Sequence, residues 1–215
     1  MAEQKLKGLV LDLRNNPGGI LRASVDVASL FMDGGNVVYT QGRVENADMR
    51  YDADPGDASN GVPLIVLINS GSASASEIVA GALQDHGRAV VMGTASFGKG
   101  SVQTILPISE TRAVKLTTAL YFTPNGRSIQ AEGIVPDIEV ERATITAYNA
   151  PRQITEADLS GHLGNVNGKS KKKKTEASPL LSDDNQLYEA LALLKGLNIL
   201  GLRDRKSAAE NPGDS

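Results

Sequence analysis

Two rhythms of apolar and polar positions alternate along this chain, and the switches between them mark its elements. Residues 9–13 carry the apolar run of a buried strand, and Asn15-Asn16-Pro17-Gly18-Gly19 ends it with a strong turn signal. Residues 20–31 then place Leu21, Val25, Ala28 and Phe31 on one helical stripe. Residues 37–40 predict a short strand, and residues 45–61 are polar and loop-like. The uninterrupted apolar run at 63–68 predicts a strand buried on both faces. Residues 74–85 predict a helix with Ile78, Ala82 and either Val79 or Leu83 facing inward, and residues 89–92 a further buried strand. Residues 101–106 read as extended and are expected to stop at Pro107. Val114, Leu116, Thr118, Leu120 and Phe122 alternate with Lys115, Thr117, Ala119 and Tyr121, the period of a one-sided strand. Strand–helix–strand units joined by short links predict an α/β layered domain over residues 1–150.

Both ends depart from this pattern. Residues 1–7 form a short polar lead directly before a buried-strand sequence, so the chain is expected to begin inside a core whose earlier part is missing. Residues 151–180 are polar, and the stretch 161–178 carries Gly, Asn, Ser and the run Lys171–Lys174. Like charges at that density repel and build no core, so a solvated linker is favoured over contact with acidic lipid or nucleic acid. Residues 181–215 are expected to form a C-terminal helix and a loose tail from 208. Leu187, Leu191 and Leu194 stand at helical spacing, and this helix should pack back on the body.

Composition narrows the chemistry. Among 215 residues there are 22 Lys+Arg against 25 Asp+Glu, two His and no Cys. A formal charge of −3 argues against a globally basic nucleic-acid binder. The absence of Cys removes a thiolate nucleophile, a disulfide framework and a Cys-based zinc site. His86 sits at a predicted helix C-terminus, where it suits a cap, and His162 lies in the linker, so a His-dependent triad has little support. Asp12 is placed to pair with Arg14, and Asp85 with Arg88 across a helix end. No apolar run is long enough to span a membrane, and no signal peptide is visible.

Two segments remain with chemical potential. Asn69-Ser70-Gly71-Ser72-Ala73-Ser74-Ala75-Ser76-Glu77 joins a buried strand to a helix, where free backbone N–H groups and the positive helix end converge. A serine there stands beside donors suited to an oxyanion, yet Ser74-Ala75-Ser76-Glu77 equally spells a capping box. Gly93-Thr94-Ala95-Ser96-Phe97-Gly98-Lys99-Gly100 nearly matches a phosphate-binding loop, but Gly100 replaces the required hydroxyl and an extended segment follows where a helix is needed. Lys99 is either an exposed lysine on a glycine turn or a desolvated amine serving as a general base.

Taken in order, these stretches resemble the C-terminal processing peptidases, or tail-specific proteases. The matching motifs are Leu11-Asp12-Leu13-Arg14-Asn15-Asn16-Pro17-Gly18-Gly19, Gly71-Ser72-Ala73-Ser74-Ala75-Ser76-Glu77-Ile78, Ala80-Gly81-Ala82-Leu83-Gln84-Asp85, Phe97-Gly98-Lys99-Gly100-Ser101-Val102-Gln103 and Gly133-Ile134-Val135-Pro136-Asp137. In that family the catalytic lysine lies 25 positions after the serine, which from Lys99 selects Ser74 over Ser70, Ser72 and Ser76. The family's lysine-orienting glutamine falls on Gln103, and its oxyanion N–H groups on Ala75 and Gly19, with Gly18 the second choice.

The resemblance implies a ClpP/crotonase-like α/β core without metal or cofactor. It implies a serine endopeptidase that acts near the exposed C-termini of proteins or peptides through an acyl-enzyme, outside the cytoplasm in the periplasm or at a membrane. Such chemistry needs an uncharged amine, so Lys99 is expected to be sheltered. The family's usual PDZ domain has no counterpart in these residues. The competing expectation is a non-catalytic peptide-binding or scaffold fragment in which Ser74 only caps a helix.

Overall fold

The computed structural model describes residues 6–43, 47–146, 154–163 and 179–210. Two four-stranded sheets form its body. The first holds β1 (Leu9–Asp12), β4 (Leu64–Ile68), β5 (Val90–Gly93) and β8 (Ile138–Glu139) in the order β1-β4-β5-β8, with every neighbouring pair parallel. The second holds β2 (Asn36–Gly42), β3 (Arg50–Asp52), β6 (Ser101–Ser109) and β7 (Arg112–Phe122) in the order β3-β2-β7-β6, all antiparallel. Helices α1 (Leu21–Ser29) and α2 (Ala75–Asp85) cross over between parallel strands and pack on each other, and α2 also meets β2. The chain is therefore an α/β fold.

The continuous apolar run of β4 has a direct cause. Leu64, Val66 and Ile68 join a core with Val25, Ala28, Val37, Val38, Ile78 and Leu83. Ile65 and Leu67 point to the opposite face and pack with Met92, Ala190 and Leu194. Ala190 and Leu194 belong to α4 (Asn185–Glu210), which follows the short α3 (Pro179–Asp183), so the C-terminal helix does return to cover the parallel sheet. Without that helix, one face of an all-parallel sheet would lie bare to water. Helix α2 is buried along its whole length from Ala75 to Leu83 rather than on a single inward stripe, because it lies between the two sheets.

Several other expectations need correction. β3 falls inside the stretch read as loop; three residues on a sheet edge leave too little pattern to detect. β6 runs through Pro107, which is tolerated because β6 is an edge strand with an irregular register between Pro107 and Ser109. In β7 the buried side chains are Ala119 and Tyr121, while Leu116 is exposed and Leu120 and Phe122 are half-buried. The β6–β7 hairpin extends past the core, so among the described residues nothing covers its larger apolar face, and Phe122 instead stacks on Tyr39. Arg88 does not pair with Asp85: it bonds Asp57, Ser59 and the Phe31 carbonyl, while Arg127 takes Asp85. The tail expected to be loose from 208 is instead helical to Glu210, where α4 ends, and the Lys171–Lys174 run and residues 211–215 lie outside the described residues.

The C-terminal helix is anchored by charge as well as by apolar contact. The Arg14 guanidinium holds the Asp184 carboxyl down to about 2 and keeps Asp12 below its ordinary value. A carboxylate whose folded value lies below its unfolded one stabilises fully above about pH 4, and that stabilisation disappears as pH falls further. The melting temperature of the chain should therefore drop between about pH 4 and pH 2, and Asp184→Asn should flatten that acid limb in a thermal titration.

Candidate active site

Residue 74 stands where β4 gives way to α2, and its backbone is unusual. Ser74 has φ 56° and ψ −114°, a conformation that costs a non-glycine residue on the order of 1–3 kcal/mol and persists only where surroundings impose it. The surroundings are explicit. Ala73 N–H donates to the Asn16 carbonyl at 3.0 Å, Ser76 Oγ donates to the same carbonyl at 3.0 Å, and Ser74 N–H donates to Glu77 Oε2 at 2.7 Å. The capping box is thus present but lopsided. Glu77 N–H donates to the Ser74 carbonyl at 2.9 Å, and its contact with the Ser74 side chain is too loose for a full hydrogen bond.

Glu77 does far more than cap. Its side chain is fully buried and accepts four hydrogen bonds. Oε1 receives Ser96 Oγ and the Gly98 N–H, both at 2.6 Å, and Oε2 receives the Lys99 N–H at 2.9 Å besides that of Ser74. One carboxylate oxygen therefore holds the backbones of residues 74 and 99 together. Its two bonds of 2.7 and 2.9 Å limit the separation of those nitrogens to about 5.6 Å. A further tie runs from Phe97 N–H to the Ser72 carbonyl at 2.9 Å. The sequence shows Glu77 only as the last letter of S-x-x-E; its partners at residues 96–99 sit some twenty positions on, with no local signal.

The expected shelter of Lys99 is not found. Lys99 is exposed, because its loop is anchored through backbone N–H groups, which leave the side chain unconstrained. Gln103 is likewise exposed, on β6 beside a break in the register between Val102 and Gln103. The loop from Gly93 to Gly100 leads into a strand, as expected of a segment that does not bind phosphate in the manner of a P-loop.

The two oxyanion candidates face one cleft. Gly19 and Ala75 both line a depression of about 170 Å³ with Leu13, Ile20, Ala23 and Val27. Among the described residues neither N–H of Gly19 nor of Ala75 has an acceptor, whereas the Gly18 N–H is already engaged by Asn16 Oδ1 at 3.0 Å. Geometry thus favours Gly19 over Gly18. Gly18 instead serves by lacking a side chain: at φ 92°, a Cβ there would sit 2.5 Å from the Ala73 carbonyl oxygen and 2.8 Å from the Ala75 nitrogen. His86 caps α2 with its Nε2 2.7 Å from the Asn36 carbonyl oxygen, and His162 is exposed with Nδ1 3.2 Å from the Leu159 carbonyl oxygen. Neither approaches the serine by any of these contacts.

Comparison with known proteins identifies the family of the chain. Residues 1–140 match the model of peptidase family S41. The chain is 52% identical over 198 residues to a carboxy-terminal-processing protease of Bartonella bacilliformis, covering 89% of this chain and 45% of that protein. It is 44% identical over 146 residues to a carboxyl-terminal-processing protease of Synechocystis, covering 68% of this chain and 34% of the other. A solved structure of a photosystem II D1 C-terminal processing protease superposes with a TM-score of 0.59 at 41% identity, over 63% of this chain and 35% of that one. The chain thus spans less than half the length of the relatives it matches. In sequence and in fold, the chain belongs to peptidase family S41.

Proposed function

We propose that this chain carries the chemical centre of a serine endopeptidase that cleaves proteins near their C-termini. Ser74 is the nucleophile, Lys99 the general base, and Gln103 orients the amine. Neutral Lys99 takes the proton from Ser74 Oγ as that oxygen attacks a peptide carbonyl. The N–H groups of Ala75 and Gly19 hold the oxyanion, and Lys99 returns the proton to the leaving amine. Water then releases the acyl-enzyme. The carrying observation is the single Glu77 oxygen bonded to the backbones of both Ser74 and Lys99. The lining of the cleft suits an apolar side chain of modest size at the residue before the cut. The layered core is of the ClpP/crotonase type in this reading. Residues 1–150 form the peptidase body, 151–180 a linker and 181–215 a docked helix with its tail. The place of action is extracytoplasmic, in keeping with the resemblance.

A fluorophosphonate probe tests the proposal. It is expected to label Ser74 covalently, and Lys99→Ala should lower the labelling rate at least 100-fold, a typical effect of losing a general base. Labelling of other serines, or indifference to the lysine, would overturn it. The exposure of Lys99 favours one other reading, a peptide-binding fragment in which Ser74 merely begins a helix. In that case no probe reacts, and Ser74→Ala changes only stability.

A further inference from the structure

The end of β1 is gripped by a part of the chain beyond the family match. All five N–H donors of the Arg14 guanidinium are used. Nε and Nη2 donate to Asp12 at 2.9 and 2.7 Å, Nη1 and Nη2 to the two oxygens of Asp184 at 2.9 and 2.7 Å, and Nη1 also to Gln186 Oε1 at 2.9 Å. Asp184 is itself fixed, since its Oδ1 accepts the Leu187 N–H at 3.0 Å and so caps α4. The neighbouring Asn185 and Gln186 donate to the Glu141 and Val140 carbonyls at 2.8 and 2.6 Å. This clamp lies 170 residues from Arg14 in sequence and outside residues 1–140.

What the clamp holds is the root of the loop that reaches the nucleophile. Directly after Arg14, Asn15 turns at φ 55° and its amide group pairs with that of Asn69: Asn15 N–H donates to Asn69 Oδ1 at 2.9 Å, and Asn69 Nδ2 donates to Asn15 Oδ1 at 3.0 Å. Asn16 accepts from Ala73 and Ser76 on either side of Ser74, and Gly19 follows three residues later. A planar guanidinium held on both edges fixes position and rotation together, which one ion pair does not. Oxyanion donors work only when their placement is set in advance, and small displacements cost large factors in rate.

We propose that Asp184 is a positioning residue for the oxyanion site: through Arg14 it sets the Asn15–Gly19 loop, so the C-terminal segment tunes the chemistry of Ser74. This rests on Ser74 being the nucleophile and Gly19 an oxyanion donor. The test uses the full chain and a fluorophosphonate probe, with binding and inactivation constants measured separately. Asp184→Asn should slow the inactivation step about tenfold and leave probe binding within twofold, and Asp184→Glu should recover part of the loss. Gly19→Pro removes the donor N–H; on that background Asp184→Asn should add less than twofold, because both changes act on one group. Hydrogen exchange of residues 15–19 should quicken in Asp184→Asn while that of β4 stays unchanged.

Unaltered inactivation and exchange in Asp184→Asn would overturn the proposal. So would a loss that multiplies undiminished with Gly19→Pro, since the helix would then be only a structural brace. If the unaltered chain is not labelled at Ser74, the proposed peptidase function fails and the catalytic role of Asp184 falls with it. Faster exchange in the loop would then show a mechanical tie alone.

Discussion

Glu77→Ala should both unfold the chain more easily and silence Ser74. The variant leaves the N–H groups of Ser74, Gly98 and Lys99 and the Ser96 hydroxyl facing an empty, water-poor space. Each abandoned buried donor costs about 1–3 kcal/mol, so a total loss beyond about 3 kcal/mol is expected in a urea titration. Glu77→Gln separates packing from hydrogen bonding. An amide keeps the volume but turns one acceptor into a donor. Turned toward Oε2, its NH₂ meets the N–H groups of Ser74 and Lys99. Turned toward Oε1, it meets the Gly98 N–H and a Ser96 hydroxyl whose oxygen already accepts from Ile134 N–H at 2.7 Å. Neither orientation satisfies all partners, so Glu77→Gln should lose about 1–3 kcal/mol. Fluorophosphonate labelling of Ser74 should fall in both variants. Labelling at the original rate in Glu77→Gln would mean that the two loops hold their places without this bridge.

Gly18→Ala is expected to be strongly destabilising and to disturb the serine loop directly. Its φ of 92° is hostile to any side chain, and the added carbon would meet two backbone atoms of the serine loop at 2.5 and 2.8 Å. Backbone cannot swing aside as a side chain can, so the Asn16–Gly19 loop must retreat from Ser74. The combined cost of strain and overlap is about 3 kcal/mol or more. Gly19→Ala is the matched control, because nothing lies within 4 Å of its would-be Cβ. Thermal melts should separate the two neighbours clearly. Equal, small effects at both positions would show that the first loop does not press on Ser74.

Much of the parallel sheet was legible because β4 and the first nine residues of α2 are buried without interruption and β5 nearly so. β1 carries the same apolar run but is only half-buried, at the edge of its sheet. The second sheet was harder to read. β3 has three residues, Pro107 is forgiven only by an edge position, and the β6–β7 hairpin leaves Ile105, Leu106, Ile108 and Leu116 exposed. Alternation along such a ribbon does not reveal which side meets the core. At the site, the spacing of Ser74 and Lys99 was visible through family likeness, and their backbones do lie together. The shelter expected for the amine was not found, since a loop anchored by its backbone says nothing about where its side chain ends. Asp12 and Arg14 do pair as expected, but the larger half of that cluster, Asp184 and Gln186, is joined only by tertiary folding.

The left-handed twist at Ser74 has a consequence for any effort to toughen this molecule. Glycine would accept φ 56° at no steric cost and relieve the tension at the head of α2. A laboratory selection that rewards heat resistance alone would therefore drift toward glycine here and discard the hydroxyl. Under the proposed function, durability and reactivity compete for one backbone angle, so a screen that preserves the chemistry must score turnover alongside survival.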